Sequence, residues 1–207
     1  NFSDFIKGKP FTAYGPMRGK DVSNITDMAY LMICNLVLNI IQCWDEKVKR
    51  HVETHPLTDE EAKLIPESLA EAFRAGKEFN FAYGTTLLAY VQTNDCWLAF
   101  QIGDGKIITF NGDAAEVTVM DDELCHDNIT TSLCDNDALD EMRISYEGDG
   151  VFPEAVFLCT DALEKAFESD DELASYYWKM LGIIKNGGKD VLVNKLEQVL
   201  PNISEKI

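Results

Sequence analysis

The sequence predicts an α+β fold in which a sheet core is covered by helices on both sides. Helical patterns occupy the first part of the chain, and a block of short strands rich in aromatic and β-branched residues follows. Helical patterns then return towards the end. Because this order lacks the β-α-β alternation of parallel sheets, we expect antiparallel strands in one domain that spans residues 1–207.

A long helix is predicted from about Asn24, a good N-cap residue, to Val52. It contains the most apolar stretch of the chain, residues 28–44. Polar side chains recur there on one helical face, at Asn35, Asn39 and Gln42. We therefore expect a core helix rather than a membrane span, and no signal peptide.

A second helical segment begins at a capping box formed by Thr58 and Glu61. Pro66 is best placed at the first turn of a second piece of this segment. Gly76 is a suitable C-cap for its end.

Turn residues separate the strands that follow. Asp104-Gly105, a dipeptide common in hairpins, lies between two of them, and the polar residues 121–138 read as loop. Strands are predicted near residue 11 and at 79–91, 96–104, 105–112, 116–120, 142–146 and 155–159. The last helices are predicted at 162–167, 171–184 and 191–199.

The charge is concentrated in one segment. The net charge is −18, and residues 95–172 alone carry 21 acidic and 3 basic residues. Such a segment repels nucleic acids and anionic membranes, which we exclude as partners, and it either attracts cations or forms a solvated face. Six cysteines without a C-x-x-C pair predict neither disulfides nor a zinc site, and favour a reducing, cytoplasmic location.

Two carboxylates stand at predicted strand ends, Asp104 and Asp161. A carboxylate at the edge of a sheet core needs compensation for lost hydration, and Mg²⁺ or Mn²⁺ would provide it. Each residue also has a structural alternative. Asp104 suits a hairpin turn, while Thr160 or Asp161 suits the N-cap of the next helix.

Four segments, taken in order, resemble the metal-dependent protein phosphatases of the PP2C family, in particular its bacterial branch. They are YGTTLLAYV (83–91), CWLAFQIGDGKIITF (96–110), ITTSLCDNDALDEMRI (129–144) and VFLCTDALEKAF (156–167). In the same order, they are similar to the family's Gly-Thr-Thr strand, its Gly-Asp hairpin, a Thr-rich segment of its bacterial branch and its strand that ends in Thr-Asp-Gly. The resemblance covers residues 81–167.

The resemblance implies a four-layer α/β/β/α sandwich of two antiparallel sheets. It also implies hydrolysis of phosphoserine and phosphothreonine in a phosphorylated protein substrate, by water activated at two Mn²⁺ or Mg²⁺ ions. Asp161 would be the central metal ligand. Asp104 would be a ligand or a support beside the ligands.

The chain departs from the family pattern at several positions. Nothing before the first helix matches the Asp-Gly-x-Gly metal motif, and Asp21 is the nearest acidic candidate. Ala162 replaces the glycine of Thr-Asp-Gly. Lys165 stands where a further aspartate is expected, with Glu164 beside it as a possible ligand or support. Arg18 is a candidate for holding the substrate phosphate, or else an exposed loop residue.

Two hypotheses follow from these departures. In the first, the chain is a Ser/Thr protein phosphatase, and residues flanking 1–207 supply the missing ligands, such as the family's final Asp-Asp or Asp-Asn pair. In the second, it is a catalytically degenerate, phosphatase-like regulatory or binding module. A third, weaker hypothesis is a purely structural acidic domain.

Overall fold

The architecture is that of a computed structural model, which describes residues 3–18, 25–76, 79–112, 114–126 and 129–204. Strands in this part of the chain form two antiparallel sheets, with orders β1-β6-β3-β2 and β5-β4-β7. Their bounds are β1 Thr12–Tyr14, β2 Leu87–Gln92, β3 Trp97–Ile102, β4 Lys106–Asn111, β5 Ala114–Val117, β6 Arg143–Glu147 and β7 Ala155–Cys159.

Helices lie on both outer faces of the sheet pair. Their bounds are α1 Ser3–Ile6, α2 Met28–Thr54, α3 Asp59–Ala62, α4 Glu67–Arg74, α5 Ala138–Glu141, α6 Asp161–Glu164 and α7 Asp170–Ser204, with a 3₁₀ helix at Phe79–Tyr83. Gly188, at φ +77°, interrupts α7 and marks the join between the two helices predicted there. The capping box at Thr58 and Glu61 is present as predicted.

Strand alternation builds three layers of apolar packing. In β3, Leu98 and Phe100 pack with α2, whereas Trp97 and Ala99 face the second sheet. In β4, Ile107 faces the first sheet, while Ile108 and Phe110 pack with α7. The predicted α+β fold with two antiparallel sheets between helical layers is therefore confirmed.

The start of α2 is fixed by one partly buried carboxylate, Asp27. Its side chain caps the helix by accepting from the Ala29 N–H at 3.0 Å, and it accepts from the Tyr14 hydroxyl at 2.7 Å. Lys9 and Tyr146 also donate to it. The prediction of a start near Asn24 was wrong by about one turn, because these four donors select Asp27 as the cap.

Helix α2 is long and apolar enough to cross a membrane by length and composition alone. Ala29, Tyr30, Ile33 and Val37 on one face of it are buried against the first sheet. The amides of Asn35 and Asn39 instead donate to helix carbonyls four residues earlier. This packing agrees with the predicted core helix.

Two local expectations were wrong. Only the second half of residues 79–91 forms a strand, since Phe79–Tyr83 is a 3₁₀ helix. Asp104-Gly105 does not close a hairpin, because β3 belongs to the first sheet and β4 to the second. The chain crosses between the sheets at this dipeptide, which places Asp104 at the edge of both.

Candidate functional site

The crossing from β3 to β4 is shaped by two glycines with no room for a side chain. Gly103 has φ +96°, and a Cβ there would lie 2.2 Å from the Thr86 methyl carbon. A Cβ on Gly105 would lie 2.5 Å from the backbone oxygen of Cys159, the last residue of β7. The close approach at Gly105 brings Asp104 next to the end of β7, where Asp161 follows.

Buried polar side chains hold this crossing from between the sheets. Arg143 on β6 donates to the carbonyls of Gly103 and Met120, the latter at 3.2 Å. Gln101 on β3 donates to the carbonyls of Gly103 and Gly105. Because these donors are buried on strands, the position of Asp104 is set by the sheets rather than by a mobile loop.

Asp161 follows β7 after one intervening residue. Thr160 occupies the N-cap position of α6, but its side chain makes no capping hydrogen bond. Asp161 is the first helical residue and is therefore not the cap. Instead, Oδ2 of Asp161 lies 2.5 Å from Nζ of Lys165, one helical turn later, and both side chains are partly exposed. This hydrogen bond raises the pKa of Lys165.

Asp104 and Asp161 line the same pocket, which has a volume of about 300 Å³. The pocket combines five carboxylates with three basic side chains and one Cys-His pair. Its full lining is Asp104, Gly105, Lys106, Asp121, Asp122, Cys125, His126, Arg143, Asp161, Glu164 and Lys165.

Lys106 is the most highly connected cation of the pocket. Its side chain is 7% exposed, and Nζ lies 2.6 Å from Asp170, 3.2 Å from Glu164 and 3.6 Å from Asp121. Burial alone would lower the pKa of Lys106, but hydrogen bonds to Asp170 and Glu164 raise it above its ordinary value. Burial raises the pKa of Glu164, and Lys106 only partly offsets this effect.

Asp122 lies deeper, against Arg143. It accepts from the Thr131 hydroxyl at 2.6 Å and from the Leu124 N–H at 3.0 Å, and its Oδ2 is 3.6 Å from the Arg143 guanidinium. Burial would raise the pKa of Asp122, but these hydrogen bonds and the charge of Arg143 bring it below the ordinary value. Asp122 is thus an ionised structural partner of Arg143.

Three of the predicted site residues lie together, whereas Arg18 lies apart from them. Asp104, Asp161 and Glu164 come together in the pocket. Arg18 lies elsewhere: its guanidinium is 2.7 Å from the buried carboxylate of Glu141, and it is absent from the pocket lining. Asp21 lies outside the described residues.

The carboxylates of the pocket do not fit a two-metal centre as they stand. Within the described ranges, no three His, Cys, Asp or Glu side chains are gathered as a group that could hold a metal ion. Asp161 is paired with Lys165, Glu164 with Lys106, and Asp122 with Arg143. Asp104 accepts a hydrogen bond from the Thr130 hydroxyl at 3.2 Å.

Sequence reasoning did not place Lys106 and Arg143 at the site. A signal for them was available, since residues 95–172 contain only three basic residues, Lys106, Arg143 and Lys165. All three line this one pocket. Their common location depends on the crossing between sheets and could not be read from local pattern.

Comparison with known proteins gives one family match. A family model described as protein phosphatase 2C matches residues 27–201, which is more than half of the chain. No curated protein and no solved structure matches the chain.

Proposed function

The chain belongs to the protein phosphatase 2C family, and from this premise we propose that it hydrolyses phosphoserine and phosphothreonine in proteins. The family is one of metal-dependent phosphatases that act on phosphorylated protein substrates. For this chain, we propose the hydrolytic activity itself, its specificity for phosphoserine and phosphothreonine, and the identity of the metal ion.

The observation that supports the proposal best is the meeting of Asp104 and Asp161. They follow strands of different sheets, yet the close approach of Gly105 to Cys159 brings both to one pocket. These are the two carboxylates that the family resemblance selects. The proposal therefore rests on one pocket in which both of these carboxylates lie together with three basic side chains.

Mn²⁺ or Mg²⁺ is the proposed cofactor, because both are hard cations that prefer oxygen ligands. Such an ion supplies charge stabilisation and an activated water in phosphoester hydrolysis. The described carboxylates do not complete a site for it. The contribution of the chain itself is the placement of Asp104 and Asp161 and of three positive charges near an incoming phosphoryl group.

A second candidate is a phosphatase-like module that binds a phosphorylated protein without hydrolysing it. The specific observation in its favour is the ion pair between Lys165 and Asp161, at the position where the family pattern has a second acid. A binding module would keep the fold and the pocket but would not need a metal ion. We propose the cytoplasm as its compartment in either case, in keeping with six free cysteines.

The two candidates are separated by phosphate release from phosphoserine, phosphothreonine and phosphotyrosine peptides, measured with Mn²⁺, with Mg²⁺ and with excess chelator. The phosphatase proposal predicts metal-dependent release from the first two peptides and much slower release from the third. Binding of phosphothreonine peptide without release under any of these conditions would instead support the non-hydrolysing module.

A further inference from the structure

The distribution of positive charge in the acidic part of the chain is uneven in space. Residues 95–172 carry 21 acidic residues against three basic ones. These three basic residues come from three different elements, β4, β6 and the end of α6, and all three line one pocket. Because the segment contains so few basic residues, their common location indicates that they have a role in the pocket itself.

Each cation is already paired with a carboxylate of the pocket. Lys165 pairs with Asp161, Lys106 with Glu164 and Asp121, and Arg143 with Asp122. Four of the five pocket carboxylates are therefore paired. Asp104 is the exception among the described residues, and it accepts a hydroxyl hydrogen bond instead.

The three pairs differ in how firmly they are held. The side chains of Arg143 and Lys106 are 0% and 7% exposed, so each of these two positive charges is itself buried and depends on its carboxylate partners for compensation. Lys165 is 53% exposed and pairs with Asp161 across one helical turn. An exposed pair of this kind contributes little to stability and is screened by salt.

We propose that these basic residues are the pocket's resident counter-ions, two fixed and one displaceable, so that a divalent cation reaches Asp161 only in competition with Lys165. The positive side chains of the chain itself thus lie where the family chemistry requires metal ions. The inference goes beyond the proposed function, since it concerns ion binding and holds whether or not the chain hydrolyses a phosphoester.

The test compares Mn²⁺ binding by the wild type with binding by Lys165→Gln, by calorimetric titration and by the shift of the melting temperature. A unit positive charge a few Å from a divalent ion opposes its binding even in a high dielectric. Removing it is expected to lower the Mn²⁺ dissociation constant by about tenfold. The melting temperature of Lys165→Gln should accordingly rise more on addition of Mn²⁺ than that of the wild type.

Lys49→Gln is the matched control. Lys49 pairs with Asp45 at 2.5 Å, also at i,i+4 on an exposed helix surface, but outside the pocket. Its loss should leave Mn²⁺ binding unchanged.

Equal Mn²⁺ affinity in the wild type and Lys165→Gln would overturn the inference, as would a failure of Lys165→Gln to bind Mn²⁺ at all. Neither measurement depends on phosphate release. Failure of the counter-ion inference is therefore distinguishable from failure of the phosphatase proposal.

Discussion

The guanidinium of Arg143 lies 3.6 Å from the carboxylate of Asp122, and neither side chain is exposed to solvent. Arg143 also donates to the carbonyl of Gly103, directly before Asp104. The pair therefore connects the region between the two sheets to the crossing that positions the pocket.

Asp122→Ala is expected to destabilise the protein by about 3–5 kcal/mol, because it leaves the Arg143 charge buried without its partner. Urea unfolding would measure this loss. The control is Asp95→Ala, whose exposed pair with Lys7 spans 3.2 Å and should contribute less than about 1 kcal/mol.

The double variant Asp122→Leu/Arg143→Met should recover part of this stability, because no charge is left buried. If Asp122→Ala were no more destabilising than Asp95→Ala, the buried pair would have no structural role.

The acid sensitivity of the fold should depend on Asp27. Burial would raise the pKa of Asp27, but hydrogen bonds from Lys9, Tyr146 and Tyr14 hold it well below its ordinary value. A carboxyl with a depressed pKa stabilises the fold above its unfolded value of about 4, and this stability is lost as the pH falls. Asp27→Asn should be less stable at pH 7 and lose less stability between about pH 5 and pH 2.

Unfolding free energies across this pH range would check the prediction, with Asp59→Asn as a control at an exposed carboxylate. The prediction is refuted if the Asp27→Asn and wild-type curves run parallel below pH 5.

Gly105→Ala should destabilise the protein by about 1–3 kcal/mol, because the new Cβ would lie 2.5 Å from a backbone oxygen that cannot easily move. The same substitution at Gly182 should have the opposite sign. Gly182 lies inside α7 with nothing within 4 Å of a new Cβ, and alanine favours the helix by about 1 kcal/mol. Thermal melts of both variants give the comparison, and destabilisation of similar size in both would contradict it.

Local signals in the sequence predicted local structure well. The apolar run at residues 155–159 is β7 within the same bounds, and the capping box at Thr58 starts a helix. The long helix was predicted too, but its first residue was not. The carboxylate that caps it is selected by donors from β1 and from β6, and the β6 donor is 119 residues away in sequence.

The pocket depends on information that no local pattern contains. Asp104-Gly105 has the composition of a hairpin, and the sequence does not reveal that the next strand joins the other sheet. The family resemblance selected Asp104 and Asp161, and the fold brings both to one pocket. The gathering of Lys106, Arg143 and Lys165 around them follows from the crossing and from strand alternation, which only the three-dimensional arrangement reveals.

The central claim is that this pocket, with Asp161 in it, carries out phosphoester hydrolysis. The most direct measurement is the rate of phosphate release from a phosphothreonine peptide with Mn²⁺, for the wild type, for Asp161→Asn and for Asp190→Asn. Asp190 is an exposed residue of α7 outside the pocket lining. We expect release by the wild type and by Asp190→Asn, and a loss of at least about 100-fold in Asp161→Asn. Equal rates for the wild type and Asp161→Asn, or no release by the wild type, would contradict the claim.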